Sequence, residues 1–223
     1  MEQPKALEEL RNDESSRGAF LKMVGGAGAA GALGIFLAAC GDDDDEDEAA
    51  QTSEDKTTAK SGMGDAEIVN YALTLEYLER DFYRDVIESG EVTDKKIAET
   101  AKMILESEQA HVDALKGTAE MLGGKVAAAP MTNFDDVLAG GPDKILETAA
   151  TVENLGAAAY LGQAGNITDK EILAAALSIH SVEGRHAAAL NQLVGKSIVP
   201  NGAFAKPATE AEVLKAVQPF IQS

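Results

Sequence analysis

Two Glu-x-x-His pairs stand in the chain: Glu108-Gln109-Ala110-His111 and Glu183-Gly184-Arg185-His186. On an α-helix a separation of three residues puts both side chains on one face with a rise of about 4.5 Å, so a carboxylate and an imidazole reach the same ion. The chain contains 3 His, and two of them carry Glu at this offset, which points to metal ligation.

The pattern around the pairs also repeats. Thr74-Leu75-Glu76-Tyr77-Leu78 parallels Thr151-Val152-Glu153-Asn154-Leu155, and seven residues beyond each Glu stand Tyr83 and Tyr160. Glu108-x-x-His111-x-x-Ala114-Leu115 parallels Glu183-x-x-His186-x-x-Ala189-Leu190. Two hairpins of like sequence can pair about a pseudo-twofold axis, bringing Glu76, Glu108, Glu153, Glu183, His111 and His186 to the centre of a bundle, the ligand set of di-iron and di-manganese carboxylate proteins. Four ionised Glu in a helical core are prohibitively costly unpaired, whereas two divalent ions cancel their charge. Glu79 lies on the same apolar arc as Glu76, and periodicity cannot choose between them. The repeat selects Glu76, because Gly156 occupies the place equivalent to Glu79. Glu79, Tyr160 and His180 are therefore candidates to support the ligands, and Tyr83 a candidate support or electron donor.

The elements that must position these residues follow from apolar spacing. From Asp65 to Ser89, Ile68, Val69, Ala72, Leu75, Leu78, Phe82, Val86 and Ile87 recur at helical intervals, and Gly90 closes the segment. Thr93 is expected to cap a second helix to about Leu122, before Gly123-Gly124. A third helix is expected to start at Gly140-Gly141-Pro142 and run to Gly165, and a fourth from a capping box at Thr168-Asp169-Lys170-Glu171 to about Gly195. The short first and third connections make two antiparallel hairpins, and the long one between them, with a short helix near Asp135 to Leu138, gives the connectivity of a ferritin-like bundle. Thr209 and Glu212 cap a last short helix within Val213 to Ile221. The expected fold is thus an all-α, ferritin-like antiparallel four-helix bundle over residues 63–196, with an extension over 197–223.

Composition agrees with helices: aromatics are 4% and Trp is absent, which disfavours a β-sandwich. The net charge of -19 excludes nucleic-acid binding and electrostatic adhesion to anionic lipid, so any membrane attachment must be covalent or apolar. Residues 1–40 read as an export signal, with Arg17 and Lys22 preceding a Gly/Ala-rich apolar stretch from Met23 to Ala39. The stretch is too short and Gly-rich for a membrane span, although a weak anchor or unprocessed leader is the alternative. Leu37-Ala38-Ala39-Cys40 resembles the bacterial lipobox, which implies lipidation of Cys40. Ser16-Arg17-Gly18-Ala19-Phe20-Leu21-Lys22 resembles the twin-arginine signal, with Gly18 in place of the second Arg, so the export route stays open. Cys40 is the sole cysteine, which excludes a disulfide framework or a Cys-rich metal site. Asp42 to Glu48, all acidic, opens a self-repelling linker over 41–62 that would hold the domain off a membrane and lacks the spacing of a calcium loop.

The stretch from Asn70 to Tyr83, NYALTLEYLERDFY, with both Glu-x-x-His pairs, resembles the ferritin-like domain family that includes plant desiccation-related proteins. The resemblance covers about Asp65 to Gly195 and implies the fold, the di-metal site and a tyrosine beside it at Tyr83. Oxygen and nitrogen donors without thiolate favour iron or manganese. Two Fe ions at such a site would make an envelope-anchored oxidase of Fe(II) or a peroxide-consuming enzyme; two Mn ions would make a catalase-like enzyme; a non-catalytic metal-binding or structural stress protein is the third reading. The expected partners are metal ions, O2 or peroxide, and a membrane reached through Cys40. A homodimer would form through an exposed helix face, and a lipid tether on every subunit argues against a closed storage cage.

Overall fold

The computed structural model describes residues 63–222. The export signal of 1–40 with Cys40 and the acidic linker of 41–62 lie outside the described residues. Six α-helices follow in order: α1 (Asp65–Ser89), α2 (Lys95–Met121), α3 (Asp135–Leu138), α4 (Gly141–Ala164), α5 (Lys170–Leu193) and α6 (Glu210–Val217), then a 3-10 turn at Gln218–Phe220. No described helix is long and apolar enough to cross a membrane.

Helix ends follow local chemistry, with two corrections. Gly90 stops α1 with φ 69°, a left-handed conformation that costs glycine nothing. Asp94, not Thr93, caps α2, its carboxylate accepting from the Lys96 and Ile97 N–H groups. Asp169, not Thr168, caps α5 in the same way through Glu171 and Ile172. Each cap is worth about 1 kcal/mol. In both places Thr and Asp are neighbours, and Asp is the stronger capper of the two. Thr168 is drawn off by Asp65, which accepts from its N–H and hydroxyl at 2.9 Å each and from Asp169 N at 2.8 Å. That contact fastens the start of α1 to the α4–α5 turn.

α1 packs against α2 and α4 against α5 along their lengths, and the two hairpins close into a four-helix bundle. The apolar core has two clusters. One holds Val69, Ala72, Leu73 and Tyr77 of α1 with Val112 and Leu115 of α2, Tyr160 of α4 and Ile179 of α5. The other holds Leu78, Phe82 and Val86 of α1 with Ala101, Ile104, Ile145, Ala149 and Leu190. The first half of α1 therefore meets the last half of α2, the last half of α4 and the first half of α5, so the crossover from α2 to α4 must traverse the bundle lengthwise. Between the clusters every long helix contributes a buried glutamate: Glu76, Glu108, Glu153 and Glu183, each 0% exposed.

The crossover is tied down by Asn70, whose amide accepts from Ala127 N at 2.6 Å and donates to Lys125 O at 3.0 Å. The C-terminal extension is not a separate appendage in its packing. Val213 and Val217 are buried in the larger cluster, Ala208 N donates to Ala158 O at 2.9 Å, and Thr132 forms an antiparallel bridge with Ile221. A Cβ on Gly162 would lie 2.0 Å from Ala208 O, so only glycine lets the extension approach α4 this closely.

Candidate metal centre

The six residues selected by the repeat converge at mid-bundle. Glu76, Glu108, His111 and Glu183 form one group of potential ligand atoms, and Glu108, Glu153, Glu183 and His186 a second, with all atoms of a group within 4.8 Å of one another. Glu108 and Glu183 belong to both groups and can bridge two ions. Glu76 with His111, and Glu153 with His186, would end the site on either side.

The polar contacts are those of a cation cage rather than of a hydrogen-bonded network. His111 Nδ1 stands 3.1 Å from Glu76 Oε2, Glu108 Oε2 and Glu183 Oε1 alike, and His186 Nδ1 stands 3.0 Å from Glu108 Oε1 and 3.2 Å from Glu153 Oε2. An imidazole nitrogen carries at most one hydrogen, so it cannot satisfy three oxygens. The close approaches to Glu108 Oε1 and Glu183 Oε1 lack hydrogen-bond alignment, and those two atoms, with Glu183 Oε2, are buried without a hydrogen-bond partner. Orphaned carboxylate oxygens of this kind are strongly unfavourable in a protein interior. A pair of divalent cations is the group this donor set fits.

Two tyrosines aim the terminal glutamates. Tyr160 on α4 donates its hydroxyl to Glu76 Oε1 on α1 at 2.5 Å, and Tyr83 on α1 donates to Glu153 Oε1 on α4 at 2.6 Å. The bonds are reciprocal between hairpins, and each leaves the glutamate's Oε2 facing the histidine of its own hairpin. The sequence repeat pointed to both tyrosines, but the sevenfold spacing did not reveal that each serves the opposite hairpin. Both phenols are pushed well above their ordinary range, first by burial and then by the carboxylate each one faces.

Without metal the cluster holds protons instead. Burial raises Glu108 to about 7 against the lowering effect of His111 and His186. Burial and the neighbouring carboxylates hold Glu183 well above the usual range. Burial opposes the charged form of His186, but the Glu108 and Glu153 carboxylates beside it outweigh this and raise it to about 9. Burial also acts against ionised Glu76, yet the His111 charge beside it leaves its carboxyl below the usual value.

The supporting candidates divide. His180 donates Nδ1–H to Ala157 O at 3.0 Å, which ties α5 to α4 and keeps the ring out of both ligand groups. Glu79 lies inside the core at 2% exposure, with Oε2 unpartnered. The repeat places it among the supports rather than the ligands because glycine stands at its counterpart. The signal was present in the sequence as a vacancy facing it. Half-buried Asn154 and buried Asn191 exchange amide hydrogen bonds at 2.9 and 3.2 Å that lock α4 to α5, a pair the sequence did not single out.

A comparison with curated proteins finds no match. The family model of the ferritin-like domain matches residues 64–196, the whole span of the four long helices and their crossover. With that match, the four-helix architecture and the buried carboxylate and histidine cluster in hand, the chain belongs to the ferritin-like domain family.

Proposed function

We propose that the bundle binds two iron(II) ions and acts as a di-metal oxidoreductase, oxidising Fe(II) with O2 or consuming peroxide. The observation that carries this reading is the sharing of Glu108 and Glu183 between two ligand groups, each completed by one histidine and one tyrosine-held glutamate. Donors of oxygen and nitrogen alone suit iron or manganese. When bound, two adjacent ions each supply one electron, enough with two protons to convert one H2O2 to two waters.

The chain's own residues prepare that chemistry. Glu108 and Glu183, common to both ligand groups, would hold the ions as a pair. Tyr160 and Tyr83 fix one oxygen of Glu76 and Glu153, so the other oxygen is presented without a search through rotamers. The protons that Glu108, Glu183 and His186 retain in the metal-free fold leave when ions bind, so loading is coupled to proton release. The apolar clusters at either side keep water from the centre and strengthen every charge interaction within it.

The proposal extends to location. The lipobox-like Leu37-Ala38-Ala39-Cys40 supports an exported chain, lipid-anchored at Cys40 on the outer side of the cytoplasmic membrane, with 41–62 as tether. The stretch Asn70 to Tyr83 supports the desiccation-related branch of the family.

Anaerobic loading with Fe(II), followed by measured addition of H2O2, tests the activity: two Fe(III) should appear per peroxide consumed. Rapid O2 evolution from peroxide by the Mn-loaded protein would instead assign catalase chemistry. Metal content no higher than adventitious, unchanged by Glu108→Ala with Glu183→Ala, would leave a structural role. For location, Cys40→Ser should release the protein from the membrane fraction.

A further inference from the structure

We infer that Glu79 is a fifth carboxylate of the metal centre, seated in the space that Gly156 leaves, and that it makes the two ion positions unequal. The inference rests on the di-metal reading. Its first support is the local geometry. A Cβ built on Gly156 would lie 2.6 Å from Glu79 Oε1 and 3.3 Å from Glu183 Oε2, so the absent side chain is the room in which two carboxylates meet. Glycine in the middle of a helix costs about 1 kcal/mol relative to alanine, and Gly156 sits well inside α4. What occupies the space so gained is the Glu79 carboxylate.

The second support is the state of that carboxylate. Glu79 is 2% exposed, its Oε2 has no hydrogen-bond partner, and the ionisable groups around it are the carboxyls of Glu183, Glu76, Glu153 and Glu108. A side chain serving only to fill the core would be better replaced by an apolar one, since a buried orphan oxygen costs roughly 1–3 kcal/mol. A cation at the centre removes that cost.

Charge counting gives the consequence. Glu76, Glu108, Glu153 and Glu183 carry one negative charge each, which cancels two divalent ions. Oxidation of both ions to the trivalent state leaves two positive charges uncompensated in a dry interior, and a fifth carboxylate halves that excess. Glu79 thus favours the oxidised pair. Because position 156 supplies no partner carboxylate, it does so from one side only.

Calorimetric titration of the full chain with Mn(II), together with reduction potentials of the iron-loaded protein, tests this. Wild type should bind two ions in two unequal steps. Glu79→Gln should weaken one step about tenfold or more, leave the other within a factor of two or so, and shift the iron potential upward. Gly156→Ala, which keeps the carboxylate but takes its room, should weaken the same step. Thermal melting of metal-free Glu79→Gln at or above wild type would show that the loss is not unfolding. Two ions bound by both variants with wild-type affinities and potential would overturn the role of Glu79 while leaving the di-metal centre intact. Wild type binding fewer than two ions would overturn both.

Discussion

Glu183→Gln separates the metal-free cost of this centre from its loaded benefit. Glu183 is 0% exposed, neither oxygen has a hydrogen-bond partner, and its carboxyl titrates well above the usual range because of burial and the neighbouring Glu108 and Glu76. A carboxyl held above its unfolded value by burial lowers the stability of the fold as pH rises past 4.5, about 1.4 kcal/mol for every tenfold difference in proton affinity between the folded and unfolded chain. Glutamine has the same shape and nothing to titrate. The metal-free variant should therefore exceed wild type at pH 7 by about 1–3 kcal/mol, the scale of one uncompensated buried polar group, a rise of roughly 2–10 °C in melting temperature for a domain of this size, and by nothing near pH 4. With metal the order reverses. Two ions at about 100 times their Kd each add about 2.7 kcal/mol to wild type, and a variant lacking a bridging carboxylate forfeits most of this. Thermal melts of both proteins, chelated and with Mn(II), at pH 4 and pH 7, give the four comparisons. A metal-free variant less stable than wild type at pH 7, combined with an unchanged response to Mn(II), would falsify the cation-cage account of Glu183.

Other outcomes follow from the same geometry. His186 is raised from 6.5 to about 9, so its stabilisation is complete below about pH 6.5 and lost as pH rises through 9; Glu108 is raised from 4.5 to about 7, so its ionisation costs stability across that interval. Melting of the metal-free protein should fall steadily between pH 5 and 9, while Mn(II) affinity, measured by titration, rises over the same range. Tyr160→Phe removes the 2.5 Å bond to Glu76 and should weaken binding of one Mn(II) about tenfold, with Tyr83→Phe acting comparably through Glu153. Gly162→Ala sets a methyl 2.0 Å from Ala208 O and should cost about 1–3 kcal/mol in denaturant unfolding, with faster hydrogen exchange confined at first to residues 208–221.

Much of the centre was legible in the chain because its chemistry demands rigid spacing. Glu-x-x-His is a one-turn offset, and its recurrence at 183 and 186 after 108 and 111 marks two helices facing a common point. The apolar intervals of α1 and the Gly breaks around α4 are equally local signals. What escaped depends on distance in sequence. Thr93 and Thr168 satisfy the local rule for caps, but Asp94 and Asp169 take the role, and only the approach of Asp65 across 103 residues explains why Thr168 is occupied elsewhere. Comparison of Glu79 with Gly156 as residue types makes Glu79 a support for the ligands rather than a ligand. In three dimensions the two face each other, and the small residue is the reason the large one fits.

The likeness of the two hairpins also limits what symmetry can achieve. An association of two identical halves would put the same residue at both sides of the axis, so a carboxylate at one would face a carboxylate at the other, or an empty space would face an empty space. Joining the halves through the long crossover frees each to differ. Glu79 opposite Gly156 is an arrangement closed to two identical halves and open to a polypeptide carrying both copies, and on the reading proposed above it would let one cation environment be tuned without altering its twin.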